Sequence, residues 1–197
     1  SLSFTTEALS QTLPPITIST HDPDRSAGGV TFFGAQQRTQ DQVDPTWPLF
    51  LGVDITGVPV WSYQDLTLSH DVVARDLTRL DDGNYLLRLE EGVRIITPAG
   101  ELVHEWLAQE GQLSGEANSV WLGGEYHHDA IVLPSGNLLA IGREEREVEV
   151  PSLGGVALVR GDTLREVSPL GEQVWSWSGF DTLGEIVLPG PLSSEPK

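Results

Sequence analysis

The chain has 197 residues, of which 29 are acidic and 11 basic, giving a formal net charge of −18. A polyanion of this size repels phosphate backbones and anionic lipid, so nucleic acid and membrane surfaces are not expected as partners, and no run approaches the roughly 18 apolar residues of a membrane span. The absence of Cys excludes disulfides, thiolate metal sites and thiol catalysis, while a 39% hydrophobic fraction with 21 Gly belongs to a globular chain.

Residues 1–28 read as an N-terminal extension. No Met occurs anywhere, so Ser1 is not an initiator position and a processed chain is expected. Ser1–Thr20 has neither the basic end nor the long apolar run of a secretory leader, so any leader is expected to be already gone. A processed start points to a secreted or periplasmic protein. His21 falls in a Pro- and Asp-rich stretch and reads as solvated.

From Gly29 onward the chain repeats itself. Three phrases share one frame: Val53–Tyr63 (VDITGVPVWSY), Ile96–Trp106 (ITPAGELVHEW) and Val167–Trp177 (VSPLGEQVWSW). Gly57, Gly100 and Gly171 hold equivalent turn positions, followed by Val60, Val103 and Val174 and then by Tyr63, Trp106 and Trp177. A Gly between two short alternating runs reads as a β-hairpin, because Gly enters the φ > 0 conformation that other residues resist. A second phrase precedes it: Arg75–Leu87 (RDLTRLDDGNYLL) matches His128–Ala140 (HDAIVLPSGNLLA), with Asp-Gly-Asn and Ser-Gly-Asn as hairpin turns.

The spacings are 43 residues from Gly57 to Gly100 and 53 from Asp76 to Asp129. Periods of about 40–50 with four short strands each are the pattern of β-propeller blades. No long segment carries the 3.6-residue period of a helix. The expected fold is therefore all-β: a partial β-propeller of about two and a half to three four-stranded blades, half of a six-bladed ring. Residues 29–177 hold the blades. The partial blade 29–63 has strands around VTFFGA, PLFLGVDI and VPVWSY; a full blade spans 71–106; a third spans 126–177. That third blade is stretched, since Asn137 to Gly171 is 34 residues where Asn84 to Gly100 is 16, which defines an insertion at 145–160 with Gly154-Gly155 as its hairpin tip. It reads as a lid or an assembly arm. Residues 178–197 read as a linker towards a further blade. Two or three blades alone leave sheet faces bare, so the expected partner is the remaining blades, from a second polypeptide or a symmetry-related copy.

The phrases GVTFF (Gly29–Phe33), YHHDAIVLPSGNLLAIGRE (Tyr126–Glu144) and RGDTLREVSPLGEQVWSWSGFD (Arg160–Asp181) resemble the bacterial arylsulfotransferase family, over about Gly29 to Asp181. The resemblance implies a six-bladed propeller with a central-channel site. It also implies nucleotide-independent transfer of a sulfuryl group from an aryl sulfate to a phenol through a sulfated His, with no cofactor and no metal. Residue by residue, His127 and His128 match the family's His-His-Asp motif, and Arg143 matches the Arg after the following strand; these three are the candidate catalytic residues. Arg75, aligned with His128 by the repeat, and Asn137, in the Ser-Gly-Asn turn, are the candidate substrate-binding residues. The family's nucleophilic His comes from a later blade. Its Asp-His-Leu string after Trp-x-Trp is Asp181-Thr182-Leu183 here, a departure that leaves one His out.

The chemistry suits those residue types. A neutral imidazole attacks sulfur and leaves when charged, Arg and His donors stabilise the sulfuryl oxygens, and a general acid protonates the departing phenolate. Adjacent residues on a strand point to opposite faces, so only one of His127 and His128 is expected to line a channel, His127 first. His104 takes the place of Trp61 and Trp175 in the repeat and reads as an outer-strand packing residue; His70 reads as a linker residue. Asp76 and Asp129 recur with the strand and read as bracing a turn. Glu144, Glu145, Glu147 and Glu149 lack calcium-loop spacing and read as a solvated face. Two functions stay open: an aryl sulfate sulfotransferase that needs further blades, and a non-catalytic extracellular propeller module for binding or assembly.

Overall fold

The computed structural model describes residues 16–20, 22, 24–25, 27–35, 38–39, 42–43, 49–64, 74–89, 92–108, 119–122, 125–150 and 154–183. The expectations for His21 and His70 lie outside them. The described strands are β1 (Val30–Ala35), β2 (Arg38–Thr39), β3 (Gln42–Val43), β4 (Leu49–Asp54), β5 (Pro59–Gln64), β6 (Ala74–Arg79), β7 (Tyr85–Leu89), β8 (Gly92–Ile96), β9 (Leu102–Leu107), β10 (Ser119–Trp121), β11 (Tyr126–Val132), β12 (Leu138–Val150), β13 (Gly155–Val167) and β14 (Gln173–Ser178). A single five-residue helix, α1 (Gly179–Leu183), is described where the linker was expected to begin.

These strands form sheets in the orders β1-β4-β5, β10-β9-β8-β7-β6, β11-β12-β13-β14 and β2-β3. The fold is all-β; among the strand pairs whose register is described, β9–β10 is parallel and the others are antiparallel. One turn recurs at the hairpins of Gly57, Gly83, Gly100, Gly136 and Gly171. In it the residue at the end of a strand accepts from a Gly three positions on and donates to the carbonyl four positions on, as at Leu80 (Gly83 N, 3.0 Å; Asn84 O, 2.8 Å) and Leu133 (Gly136 N, 2.8 Å; Asn137 O, 2.8 Å). That geometry places the Gly in the left-handed region, with φ of 92° at Gly83 and 85° at Gly136, a conformation that a side chain would strain.

The insertion is not a separate loop. β12 and β13 pair without a break from Leu138↔Val167 to Val150↔Gly155, so residues 145–150 and 155–160 extend the two middle strands into one long arm.

The chain divides into two compact units, Ser1–Leu89 with Ile96–Glu101, and Glu90–Ile95 with Leu102–Lys197. In the first unit the core is Phe50, Ala74, Leu77, Tyr85, Leu87, Leu89 and Ile96, with Phe32, Trp61 and Tyr63 packed against it. Ring centroids of Phe32 and Trp61 each lie close to Tyr85, at 5.2 and 4.8 Å, in tilted contacts suited to aromatic quadrupoles. The Trp61 indole N–H donates to the Pro98 carbonyl at 3.1 Å, which ties β5 to the turn of the following repeat.

In the second unit Trp106, buried on β9 two repeat positions beyond the place of Trp61, donates its indole N–H to the Ser168 carbonyl at 3.2 Å, again in the turn of the following repeat. His104 meets the edge of that ring at 4.2 Å between centroids, in keeping with a packing role. Beneath them Glu105 is wholly buried, paired with Arg94 at 2.8 Å and accepting from the Ser119 hydroxyl. Close packing reaches the backbone: a Cβ on Gly92 would stand 2.1 Å from the Trp106 carbonyl oxygen.

Candidate functional site

The His-His-Asp motif sits at the start of β11, and the local geometry departs from a regular strand. Tyr126 pairs with Gly142 and Ala130 with Ala140, so three residues on β11 face one on β12, a bulge over His127–Asp129. Within it His128 has φ of 65°, the only non-Gly residue at positive φ among the described residues. Two hydrogen bonds hold this kink: Tyr126 Oη donates to the His128 carbonyl at 3.3 Å, and the Ala130 amide donates to Asp129 Oδ1 at 2.8 Å.

The kink overturns the expectation that the two imidazoles face opposite ways. Strand alternation holds only while φ stays extended; a left-handed residue turns its side chain back toward its neighbour. The His127 and His128 rings therefore meet edge to face at 4.8 Å, with their Nδ1 atoms 2.5 Å apart. A contact that short holds one proton, since two lone pairs or two N–H groups would repel. His127 is mostly buried, with a side chain 16% exposed, and His128 is exposed. The Nε2 of His127 lies 3.2 Å from Asp162 Oδ1, close enough for charge attraction but out of line for a hydrogen bond.

Arg143 and Asp162 stand directly opposite each other on β12 and β13, so both side chains leave the same face. Arg143 also receives the chain just before the motif: its amide donates to the Glu125 carbonyl at 3.1 Å, and its Nη1 lies 3.4 Å from Glu125 Oε2. Two registers further out, Arg160 and Glu145 are opposite and paired at 2.6 Å, and that carboxylate holds the Arg160 guanidinium firmly charged. The structure thus brings His127, His128, Asp162 and Arg143 to one end of the four-stranded sheet.

Asn137 belongs to the other end. Five residues separate it from Gly142, about 17 Å along a strand, and its amide donates to Glu166 Oε1 at 2.6 Å. The structure does not join it to the His pair. Arg75 lies in the first unit, exposed at the start of β6, in a bulge between Ala74 and Asp76. The bulge repeats the β11 motif, with the Leu77 amide on Asp76 Oδ1 at 2.8 Å just as Ala130 sits on Asp129, but the backbone stays out of the left-handed region. The recurring Asp therefore braces a strand bulge rather than a hairpin turn.

Of the acidic arm's carboxylates, Glu144 and Glu145 are paired and Glu147 and Glu149 are exposed. Glu144 meets Arg146 at 3.1 Å and accepts from Ser178, while Arg146 also bonds Asp181 at 2.6 Å and lies over the Phe180 ring. The Arg146 bond holds the Asp181 carboxyl below its ordinary range. Among the described residues no three His, Asp or Glu side chains converge on a point where a metal ion would sit. Asp162 was missed in the sequence, although its signal was present: it follows Gly161 in Arg160–Asp181, inside the phrase that carries the family resemblance.

No curated protein matches this chain. Among solved structures it is similar to a protein of unknown function from Bacteroides caccae, at 17% identity and a TM-score of 0.40, over 75% of this chain and 40% of that one. The chain thus spans less than half the length of that protein. The family model for arylsulfotransferase (ASST) matches residues 17–188, a stretch that takes in the β11 bulge, Arg143 and Asp162, and the chain belongs to the arylsulfotransferase family.

Proposed function

We propose that this chain is part of the β-propeller of an aryl sulfate sulfotransferase, lending His and Arg residues to sulfuryl transfer from an aryl sulfate to a phenol. On this reading the three larger sheets are blades of a six-bladed ring, and the sulfated His belongs to a later blade. The observation that carries it is the contact of the His127 and His128 rings within the family-matched segment, with His127 Nε2 meeting Asp162, the residue opposite Arg143 on the ladder. Arg143 supplies the fixed positive charge for the sulfuryl oxygens, and an imidazole beside it moves the proton that the phenol exchanges. The same reading places the protein outside the cytoplasm; no described helix is long and apolar enough to cross a membrane.

The partner proposed is the rest of the ring, from another polypeptide or a second copy. Trp61 and Trp106 each reach the turn of the following repeat. On β14 Trp175, which holds the place of Trp61 in the repeat, is 46% exposed. A further blade carrying such a turn completes the pattern.

The test is transfer from an aryl sulfate to a phenol by the intact native particle, with no nucleotide added. Arg143→Gln should lower kcat/KM by about 10²–10³-fold with the fold intact. No transfer by the native particle identifies a non-catalytic binding or assembly module instead, and transfer indifferent to Arg143→Gln removes Arg143 from the site.

A further inference from the structure

We infer that Asp162 sets the tautomers of the histidine pair and that His128 Nε2 is thereby the bare nitrogen the pair presents to its surroundings. The chain of reasoning is short. A carboxylate 3.2 Å from His127 Nε2 favours a proton on that nitrogen. The neutral His127 then has a bare Nδ1. Because the Nδ1 atoms of the two rings are 2.5 Å apart, the single proton between them must ride on His128 Nδ1. That leaves His128 Nε2 without a proton, on the exposed ring of the pair.

Three features of the fold hold this order. The left-handed backbone of His128 turns its ring onto His127, and the Tyr126 hydroxyl on the His128 carbonyl fixes the turn. Asp162, opposite Arg143 on the ladder, is held by that register on the face of the sheet that His127 Nε2 meets. Burial of His127 Nε2 from solvent leaves Asp162 as its polar neighbour in place of water. Asp162 is a positioning residue: it touches no substrate and acts through His127.

The consequence for catalysis rests on the sulfuryl-transfer reading. In the second half of that reaction the phenol oxygen forms its bond to sulfur, the bond from sulfur to the carrier imidazole breaks, and the phenol proton passes to His128 Nε2. The imidazolium formed is stabilised through the His127 bridge by Asp162. In the first half the carrier imidazole forms its bond to sulfur as the donor's oxygen–sulfur bond breaks, and the departing phenolate takes its proton from the His128 imidazolium that the preceding second half left, which restores the bare Nε2. The His128 proton is balanced over the cycle.

The test needs no turnover, so its failure and failure of the sulfuryl-transfer reading are separate results. Two-bond ¹⁵N–¹H imidazole spectra of the full chain, taken at about pH 8 where free imidazole is neutral, report which nitrogen carries each proton. The expected pattern is Nε2–H for His127 and Nδ1–H for His128, the latter being the minor form of free histidine. Asp162→Ala should return His128 to the Nε2–H form while the Trp106 indole signal stays in place; Asp162→Asn, which keeps the size and removes the charge, serves if the alanine variant does not fold. An Nε2–H form for His128 in the unaltered protein overturns the assignment. An Asp162 variant with an unchanged pattern overturns the positioning role.

Discussion

Glu105 is where one substitution should cost most. Its carboxylate is wholly buried, 2.8 Å from the Arg94 guanidinium, itself 9% exposed, and it accepts from the Ser119 hydroxyl. Two charges about 4 Å apart at an effective dielectric of about 20 attract by about 4 kcal/mol. Burying both ions offsets much of that gain, so the pair contributes little net, but removing one partner leaves the other buried and unpaired at about 3–5 kcal/mol. Glu105→Ala should therefore lose that amount, against a total stability of about 5–15 kcal/mol for a domain. At about 2–4 °C per kcal/mol for a chain of this size, the melting temperature should fall by about 6–20 °C. Urea unfolding of the full chain, followed by tryptophan fluorescence, gives the free energy from the midpoint at constant slope. The companion double variant, Glu105→Leu with Arg94→Met, replaces both ions by apolar groups and should stay within about 1–2 kcal/mol of the unaltered protein. A single variant that loses less than about 1 kcal/mol, or a double that costs the sum of its two singles, refutes a coupled buried pair.

Three further outcomes follow from the same geometry. Burial against Trp106 lowers the His104 pKa, partly countered by Glu105; the stability this neutral ring contributes is present above about pH 6.5 and is lost as pH falls through the lowered folded value, so His104→Phe should flatten the decline in urea midpoint between about pH 7 and pH 5, and an unchanged slope contradicts the burial. His128→Gly should fold and gain about 1 kcal/mol by relieving the left-handed backbone, whereas His128→Val should lose more than that, a difference readable in thermal melts. Trp106→Phe removes the hydrogen bond to Ser168 and should cost about 1 kcal/mol or more, with equal stability of the two proteins counting against that anchor.

Much of the fold was legible because turns are chemically explicit. Gly57, Gly83, Gly100, Gly136 and Gly171 each sit at positive φ where the repeat put a hairpin, and the strands flanking them follow from alternation. The long arm was half legible: the extra spacing between Asn137 and Gly171 showed an insertion, while its unbroken pairing across β12 and β13 depends on cross-strand register that no local pattern encodes. The candidate residues came from motifs, and the geometry of one motif was misread. His127, His128 and Arg143 were singled out, but the rule that neighbours on a strand diverge fails at a bulge, and a left-handed His leaves no mark as a Gly would. Glu105 gave a sign that went unused, since Ser62 and Ser176 hold its place in the other repeats. Its partner Arg94 lies on a different strand, β8, and only the folded sheet brings the two charges together.

The most direct measurement is peptide mapping of the native particle after incubation with an aryl sulfate donor, no acceptor, and an alkaline quench that preserves the nitrogen–sulfur bond. One sulfuryl group should appear on a histidine outside Tyr126–Arg143, and its discharge to an added phenol should slow in His128→Gln. A sulfuryl group on His127 or His128 themselves, or discharge indifferent to His128→Gln, would contradict a pair that moves protons for a nucleophile carried by another blade.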